Sequence, residues 1–320
     1  MAHADFVHLR LHSAYSLSEG AIRSKDLAVK AAKFGMPAVA VTDTNNLFGA
    51  MEYGPALASA GVQPIIGCQL AVAFGTERRQ GSEPRPRIAS VVLLVQDATG
   101  YQNLMRLVSA AFLETDPAFS THLAEGGFEG ATDGLILLAG GPAGPLGQWL
   151  ADGEEALARE WLQTMTGLFP GRTYVELQRH GWESEDRVEG PMIDMAIAED
   201  VPLVATNDCY FLERGMYDAH DALICVAEGA YVSQTERRRL TPEHRFKAAE
   251  EMKALFADVP EAISNTVVIA RRCGFMVPER GPILPRFTSE EGRTEAEELR
   301  AMANAGLEQR IADMAAKGIV

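Results

Sequence analysis

The segment from His8 to Ser16, HLRLHSAYS, has the residue types of a metal site but breaks the pattern at one position. Two histidines at positions i and i+2 of a strand point to the same side and can share a cation. Here Arg10 occupies the first of these positions and His12 the second. Because a guanidinium offers no lone pair to a metal, the segment predicts either a site that never existed or one that has lost a ligand.

Other polar residues follow the ends of predicted strands. They are His12 after the first strand, Asp43 and Thr44 after the second, Gln69 within the third, Arg179 and His180 after the sixth, and Asp208 and Tyr210 after the seventh. Because the carboxyl ends of parallel strands meet at one face, we expect these side chains to line one pocket.

Each of these residues also has a structural explanation. A single histidine in a loop is more often hydrogen-bonded there than bound to a ligand, and Asp43 and Asp208 could make Asx turns or cap helices. We expect His8 and His220 to be structural. We expect the remaining histidines, which lack any motif, to lie at the surface: His3, His122 and His244. Convergence on one face favours His12, His180 and Asp208 as site residues.

Apolar runs alternate with amphipathic segments along most of the chain, which predicts an α/β fold with a parallel sheet. The predicted strands are Phe6–Leu11, Ala38–Thr42, Pro64–Val72, Ala89–Val95, Leu135–Leu138, Tyr174–Gln178 and Leu203–Thr206. Seven such units favour a closed β/α barrel over an open doubly wound sheet. The stretch GTERRQGSEPRPR, residues 75–87, predicts an exposed and mobile insertion. Residues after about 232 are expected to be mostly helical.

Composition limits the binding partners and the cellular compartment that we expect for this chain. A chain of 320 residues with a formal charge of −15 should repel a phosphate backbone over most of its surface. The four cysteines form no C-x-x-C motif, which is typical of a reducing compartment. No signal peptide or stretch of 18 apolar residues occurs, so we expect a cytoplasmic protein without membrane contact.

Seven stretches, taken in order, resemble one known family. They are FVHLRLHSAYSLSEG, GMPAVAVTDTNNLFGAMEY, QPIIGCQLAV, GYQNL, VELQRHG, VPLVATNDCYF and FADVPEAISNTVVIARRC. They resemble the polymerase and histidinol phosphatase (PHP) domain that begins bacterial replicative DNA polymerase III alpha subunits. The resemblance implies a distorted seven-unit, TIM-like β/α barrel over residues 1–275, including its C-terminal helices, and a truncated helical lead-in to the polymerase core over residues 276–320.

In relatives that carry metals, the resemblance implies up to three zinc-like ions that hydrolyse phosphoesters through a metal-bound hydroxide. Ten positions of this chain correspond to that site: Arg10, His12, Glu19, Asp43, Thr44, Gln69, Ser90, His180, Asp208 and Tyr210. Five have lost the family's ligand: Arg10, Thr44, Gln69, Ser90 and Tyr210. The best remaining site keeps His12 and Asp208, with His180 a weaker candidate, whereas zinc usually needs about three or four protein ligands.

We therefore expect a vestigial site with no metal and no catalytic residue in this chain. We expect Arg10 to pair with Asp208, with Asp43 or Glu19 as further partners. The resemblance implies a structural role as part of a DNA-directed DNA polymerase, whose Mg²⁺ site would lie in the palm. The expected partners are the polymerase core of the same chain and a proofreading exonuclease subunit, with residues 76–87 a candidate contact. DNA would be bound by the rest of the parent protein.

Two other functions remain open. One is an active metal-dependent phosphoesterase or 3′–5′ exonuclease of the PHP family, which would use Zn²⁺ or Mn²⁺. The other is a freestanding hydrolase unrelated to replication, against which the FADVPEAISNTVVIARRC stretch argues because it resembles the junction into the polymerase.

Overall fold

In the computed structural model of this chain, the structure describes residues 3–77, 85–285, 287, 289 and 292–318. The chain divides after Val277 into a large and a small compact unit. The large unit contains one sheet of six strands surrounded by helices. No helix in the described ranges is long and apolar enough to cross a membrane.

The regular elements have the following bounds. The strands are β1 (Ala38–Val41), β2 (Gln63–Glu77), β3 (Arg85–Val95), β4 (Leu135–Leu138), β5 (Thr173–Gln178) and β6 (Leu203–Thr206). The helices are α1 (Ser24–Lys33), α2 (Ala50–Ser59), α3 (Ala98–Leu113), α4 (Pro145–Ala151), α5 (Glu155–Leu168), α6 (Glu183–Ala198), α7 (Tyr217–Glu228), α8 (Ala249–Leu255), α9 (Pro260–Arg272) and α10 (Glu295–Ala316).

The sheet runs in the order β1 to β6 and is mixed, so the expectation of an all-parallel sheet is wrong. β1 pairs with β2, and β4 through β6 pair with each other, in parallel, whereas β3 is antiparallel to both of its neighbours. An antiparallel pair needs no crossover helix, and only residues 78–84 separate the end of β2 from the start of β3. The predicted insertion is therefore strand at residues 75–77 and 85–87, and its residues 78–84 lie outside the described part.

The predicted first strand, Phe6–Leu11, is an extended segment held by isolated bridges instead of a regular strand. His8 bridges to Val39 of β1, and Leu11 bridges to Cys209, three residues after β6. The segment thus bridges to both ends of the sheet, as a strand that closes a barrel would. The predicted α/β class with a TIM-like sheet is confirmed, and the described sheet has six strands, so the seven-unit count stays a prediction.

Burial explains why these runs form strands. Every residue of β1, β4, β5 and β6 is buried, as expected for strands covered by helices on one side and by the barrel interior on the other. Helix α5 is amphipathic: it buries Ala158, Leu162 and Met165, which share one face. The four cysteines are buried and unpaired, as expected for thiols that fill the core.

The small unit contains α10, which begins with a capping box. The Thr294 hydroxyl accepts the backbone N–H of Glu297, and the Glu297 carboxylate accepts the N–H of Thr294. Before it, residues 278–285 form no helix, which agrees with their prolines.

Candidate functional site

Arg10 lies at the centre of a buried cluster at the rim of the sheet, with 4% of its side chain exposed. Its Nη1 donates to both carboxylate oxygens of Glu176, at 3.1 and 3.2 Å. Its Nε lies 3.1 Å from Oδ1 of Asp208, and its Nη2 donates to Oε1 of Gln69 at 2.6 Å. The predicted pairing of Arg10 with Asp208 is confirmed. We call Arg10, His12, Gln69, Glu176 and Asp208 the Arg10 cluster.

Glu176, on β5, is a member of this cluster that the sequence analysis missed. Its side chain is fully buried, and it also accepts hydrogen bonds from Nε2 of Gln178 at 3.0 Å and from the hydroxyl of Thr206. The run TYVELQ contained a usable signal, because a carboxylate inside a buried apolar strand requires a charged or hydrogen-bonding partner.

His12 directs both ring nitrogens at acceptor atoms. Its Nε2 lies 2.9 Å from Oδ1 of Asp208, and its Nδ1 lies 3.0 Å from the hydroxyl of Ser16 and 3.3 Å from that of Thr44. Both hydroxyls already donate their hydrogens to carboxylates, so they can only accept from His12. Both ring nitrogens of His12 therefore face oxygen atoms of the site, at 2.9 to 3.3 Å.

His180 is committed in the same way. Its Nδ1 lies 2.7 Å from Oε1 of Glu185, and its Nε2 accepts the backbone N–H of Asp208 at 3.1 Å. Because a carboxylate can only accept, Nδ1 carries the hydrogen and Nε2 holds the lone pair, which the Asp208 backbone occupies. The ring also stacks on His244, with the centroids 3.9 Å apart.

The two acids that were expected as further partners of Arg10 are held elsewhere. Asp43 accepts the backbone N–H and the hydroxyl of Ser13, each at 2.7 Å, and the hydroxyl of Ser16 at 2.6 Å. Glu19 forms an ion pair with Arg238 at 2.7 Å. Arg238 is a second arginine at this site, and no local pattern pointed to it because it lies 219 residues away in the chain.

Three further predicted positions have different places. The hydroxyl of Thr44 donates to Oε2 of Glu19 at 2.7 Å. The Tyr210 ring stacks on His12, with the centroids 4.2 Å apart, and its hydroxyl donates to Oδ2 of Asp208 at 3.3 Å. Ser90 pairs with Ala71 across β2 and β3, so it shares a sheet face with Gln69, but no described hydrogen bond joins its side chain to the cluster.

Electrostatic interactions stabilise the charged forms of Arg10 and Asp208 at the centre of the cluster. Burial alone would raise the pKa of Asp208, but Arg10 and His12 lower it well below its usual range. Burial alone would lower the pKa of Arg10, but Asp208 and Glu176 raise it further above its ordinary value. Burial and the nearby Asp208 carboxylate raise the pKa of Tyr210, so its hydroxyl stays protonated and serves as a donor.

Two histidines that were expected at the surface are buried, and this expectation is wrong for both. His122 is 9% exposed and His244 is 1% exposed. Burial and the neighbouring His180 lower the pKa of His244 to about 2, so it packs as a neutral ring against the site. His220, expected to be structural, is also buried and contacts the backbone carbonyl of Glu19 through Nε2 at 2.6 Å.

As a whole, nine of the ten predicted positions are linked by direct contacts or share a bonding partner, and Ser90 is the exception. Arg10 is shared between the two carboxylates at the centre, and the lone pair of His180 Nε2 accepts a backbone N–H. Within the described ranges, no group of three or more His, Cys, Asp and Glu side chains is arranged to hold a metal ion. The arrangement is suited to holding strand ends together.

Comparisons of the sequence with known proteins agree on one family. Residues 8–180 match the PHP domain family. The chain is 49% identical over 309 residues to the DNA polymerase III subunit alpha of Caulobacter vibrioides, which covers 96% of this chain and 27% of the relative. It is 36% identical over 313 residues to the subunit of the same name from Escherichia coli K12, covering 98% and 26%. The chain thus spans about a quarter of these relatives.

Among solved structures, an amidohydrolase from Chromobacterium violaceum matches with a TM-score of 0.40 and 14% identity, covering 78% of this chain and 96% of that one.

Proposed function

The chain belongs to the PHP domain family, and on that premise we propose that it is the PHP domain of a bacterial DNA polymerase III alpha subunit. Relatives of that name match nearly the whole chain. The activity of the whole protein would be DNA-directed DNA polymerisation with Mg²⁺ in a palm domain elsewhere, and its location would be cytoplasmic. Residues 276–320 would lead into the polymerase core, and DNA would be bound outside this chain.

We further propose that the metal site is vestigial and that the Arg10 cluster replaces it structurally. The single observation that carries this proposal is the position of the Arg10 guanidinium between Asp208 and Glu176. A fixed cation there repels a dication and occupies the acids that would bind it. The residues present therefore do not fit a zinc centre, and no phosphoester chemistry is assigned to them.

The test is metal content together with turnover. The protein is purified without chelator, and its metal content is measured by inductively coupled plasma mass spectrometry. Its activity is assayed in Mn²⁺ and Zn²⁺, with p-nitrophenyl phosphate for phosphoesterase activity and an oligonucleotide for removal of 3′ nucleotides. We expect less than about one-tenth of an equivalent of metal and no turnover that EDTA abolishes. Stoichiometric metal with EDTA-sensitive hydrolysis would overturn the vestigial site.

For the domain itself we propose a supporting and docking role. It would pack against the polymerase core and bind a proofreading exonuclease subunit. The acidic surface, with a formal charge of −15, supports protein contact over direct contact with nucleic acid. Residues 76–87 are the candidate contact, of which residues 76, 77 and 85–87 are described.

Isothermal titration of this chain with the exonuclease subunit from the same genome tests the docking role. Measurable affinity is expected with the exonuclease, whereas a double-stranded oligonucleotide at physiological salt should bind weakly or not at all. Binding of DNA but not of exonuclease would contradict the proposal.

The second candidate is an active metal-dependent phosphoesterase of the PHP family. Its support is that His12, His180 and the Asp208 carboxylate lie together at the rim of the sheet. It requires both histidines to release the hydrogen bonds described above, so it ranks below the structural role. The metal analysis separates the two candidates directly.

A further inference from the structure

A recess outside the Arg10 cluster lies between the far end of β2 and the helices α4 and α5. Its volume is about 530 Å³, which falls within the range of ligand-binding pockets. Trp149 and Trp161 both line it, and we call it the tryptophan groove. It shares no residue with the Arg10 cluster, so its role is independent of any metal.

The aromatic walls of the groove are held in place by their own contacts. The Trp149 ring packs edge-on against Phe74, with the centroids 5.3 Å apart. The Arg87 guanidinium lies 4.3 Å from the Trp149 ring centre and forms an ion pair with Asp152 at 2.7 Å. On the other side, Phe128 packs edge-on against Phe169 at 5.6 Å. A preformed wall reduces the ordering cost of binding.

Three glutamates make the rim of the groove predominantly acidic. Glu125, Glu129 and Glu160 line it, and all three are exposed. Among the described residues, the cation at the groove wall is Arg87, which lies over the Trp149 ring and is paired with Asp152. Such a rim repels phosphates and acidic segments and attracts Lys and Arg.

We propose that the tryptophan groove docks a short linear segment of a partner protein. Apolar or aromatic side chains of that segment enter the groove, and flanking Lys or Arg side chains pair with the three glutamates. This occupant matches both features of the groove, its apolar floor and its acidic rim. The groove is separate from the Arg10 cluster but adjoins the candidate exonuclease contact, because Thr76 lines it and Arg87 lies over Trp149; the proposal does not depend on the polymerase assignment.

Phage display provides an unbiased probe. Random dodecapeptides are selected on the whole 320-residue chain, and enriched peptides are synthesised with a fluorescein label and titrated by anisotropy. We expect peptides with Lys or Arg on both sides of an apolar pair, and a change in tryptophan emission on binding. The triple variant E125K/E129K/E160K should weaken binding by about tenfold or more.

A second variant tests the apolar floor. Leu157 lines the groove and is 40% exposed, so Leu157→Asp should leave the fold intact, which circular dichroism checks, and should abolish peptide binding. Leu113→Asp is the matched control, because Leu113 is an exposed leucine at the end of α3 and does not line the groove.

The charge control is E114K/E183K/E228K, which changes the net charge by the same amount at exposed sites outside the groove. Its affinity for the selected peptides should stay within twofold of the unchanged protein. The proposal is overturned if no peptide is enriched, if enriched peptides lack basic residues, or if both triple variants weaken binding equally. Lower melting temperatures for the groove variants without any enriched peptide would indicate that the chain itself uses these carboxylates, and would also overturn it.

Discussion

Replacing Arg10 by methionine removes the cation from a cluster that buries two carboxylates. Arg10 lies about 3 Å from both Glu176 and Asp208, and the exposed fractions of these two side chains are 0% and 11%. At this distance and an effective dielectric constant of about 20, each attraction is about 5 kcal/mol before desolvation. Desolvation of three charged groups offsets most of that gain in the unchanged protein.

The variant loses the attraction but keeps the desolvation cost of both acids. We therefore expect Arg10→Met to lower the free energy of unfolding by about 3–5 kcal/mol. Neutralising the two unpaired acids as well should restore stability, so the triple variant R10M/E176Q/D208N should recover at least half of the lost free energy of unfolding.

Equilibrium unfolding in urea measures this effect. The three tryptophans, Trp149, Trp161 and Trp182, all lie in the large unit, so their fluorescence reports the unit that contains the cluster. Arg159→Met is the matched control, because Arg159 forms ion pairs with Glu155 and Glu199 at the surface. Exposed pairs contribute about 0–1 kcal/mol, so this variant should change stability little.

The reasoning would be refuted if Arg10→Met and Arg159→Met lowered stability equally, by about 1 kcal/mol or less. It would also fail if the triple variant were less stable than Arg10→Met alone, because Arg10 would then not act by neutralising the acids. A fall in pH should narrow the deficit of Arg10→Met, since Asp208 without its cation is expected to take up a proton in the folded state.

Two further predictions concern pH. The pKa of Asp208 is lowered in the folded protein, so its contribution to stability is present above about pH 4 and is lost as pH falls below it. In urea unfolding, Asp208→Asn should therefore reduce the loss of stability that the protein shows as pH falls below about 4. An equal loss in the variant and the unchanged protein would contradict this. Burial lowers the pKa of His8 from 6.5 to about 4, so its ring should titrate near pH 4 in proton–carbon NMR, and the chain should lose stability as pH falls from about 6.5 toward 4. A midpoint near 6.5 for His8 would show that its ring is solvated.

The sequence predicted the features that depend on local pattern. Six of the seven apolar runs form regular strands, because a strand covered on both faces is mostly apolar. Four of them lie close to the predicted bounds, whereas β2 extends to Glu77 and β3 begins at Arg85. The convergence of His12, Asp43, Thr44, His180 and Asp208 was also predictable, because strand ends of one sheet share a rim. The resemblance added the expectation that Arg10 replaces a ligand.

Only the tertiary structure decided which charges meet. Glu176 and Arg238 are far in sequence from their partners, at separations of 166 and 219 residues, and no local periodicity records such a pairing. The antiparallel direction of β3 could not be predicted either, because an apolar run has the same sequence pattern in parallel and antiparallel sheets. Local patterning specifies where a segment is buried, whereas the partners of buried charges depend on which segments the folded chain brings together.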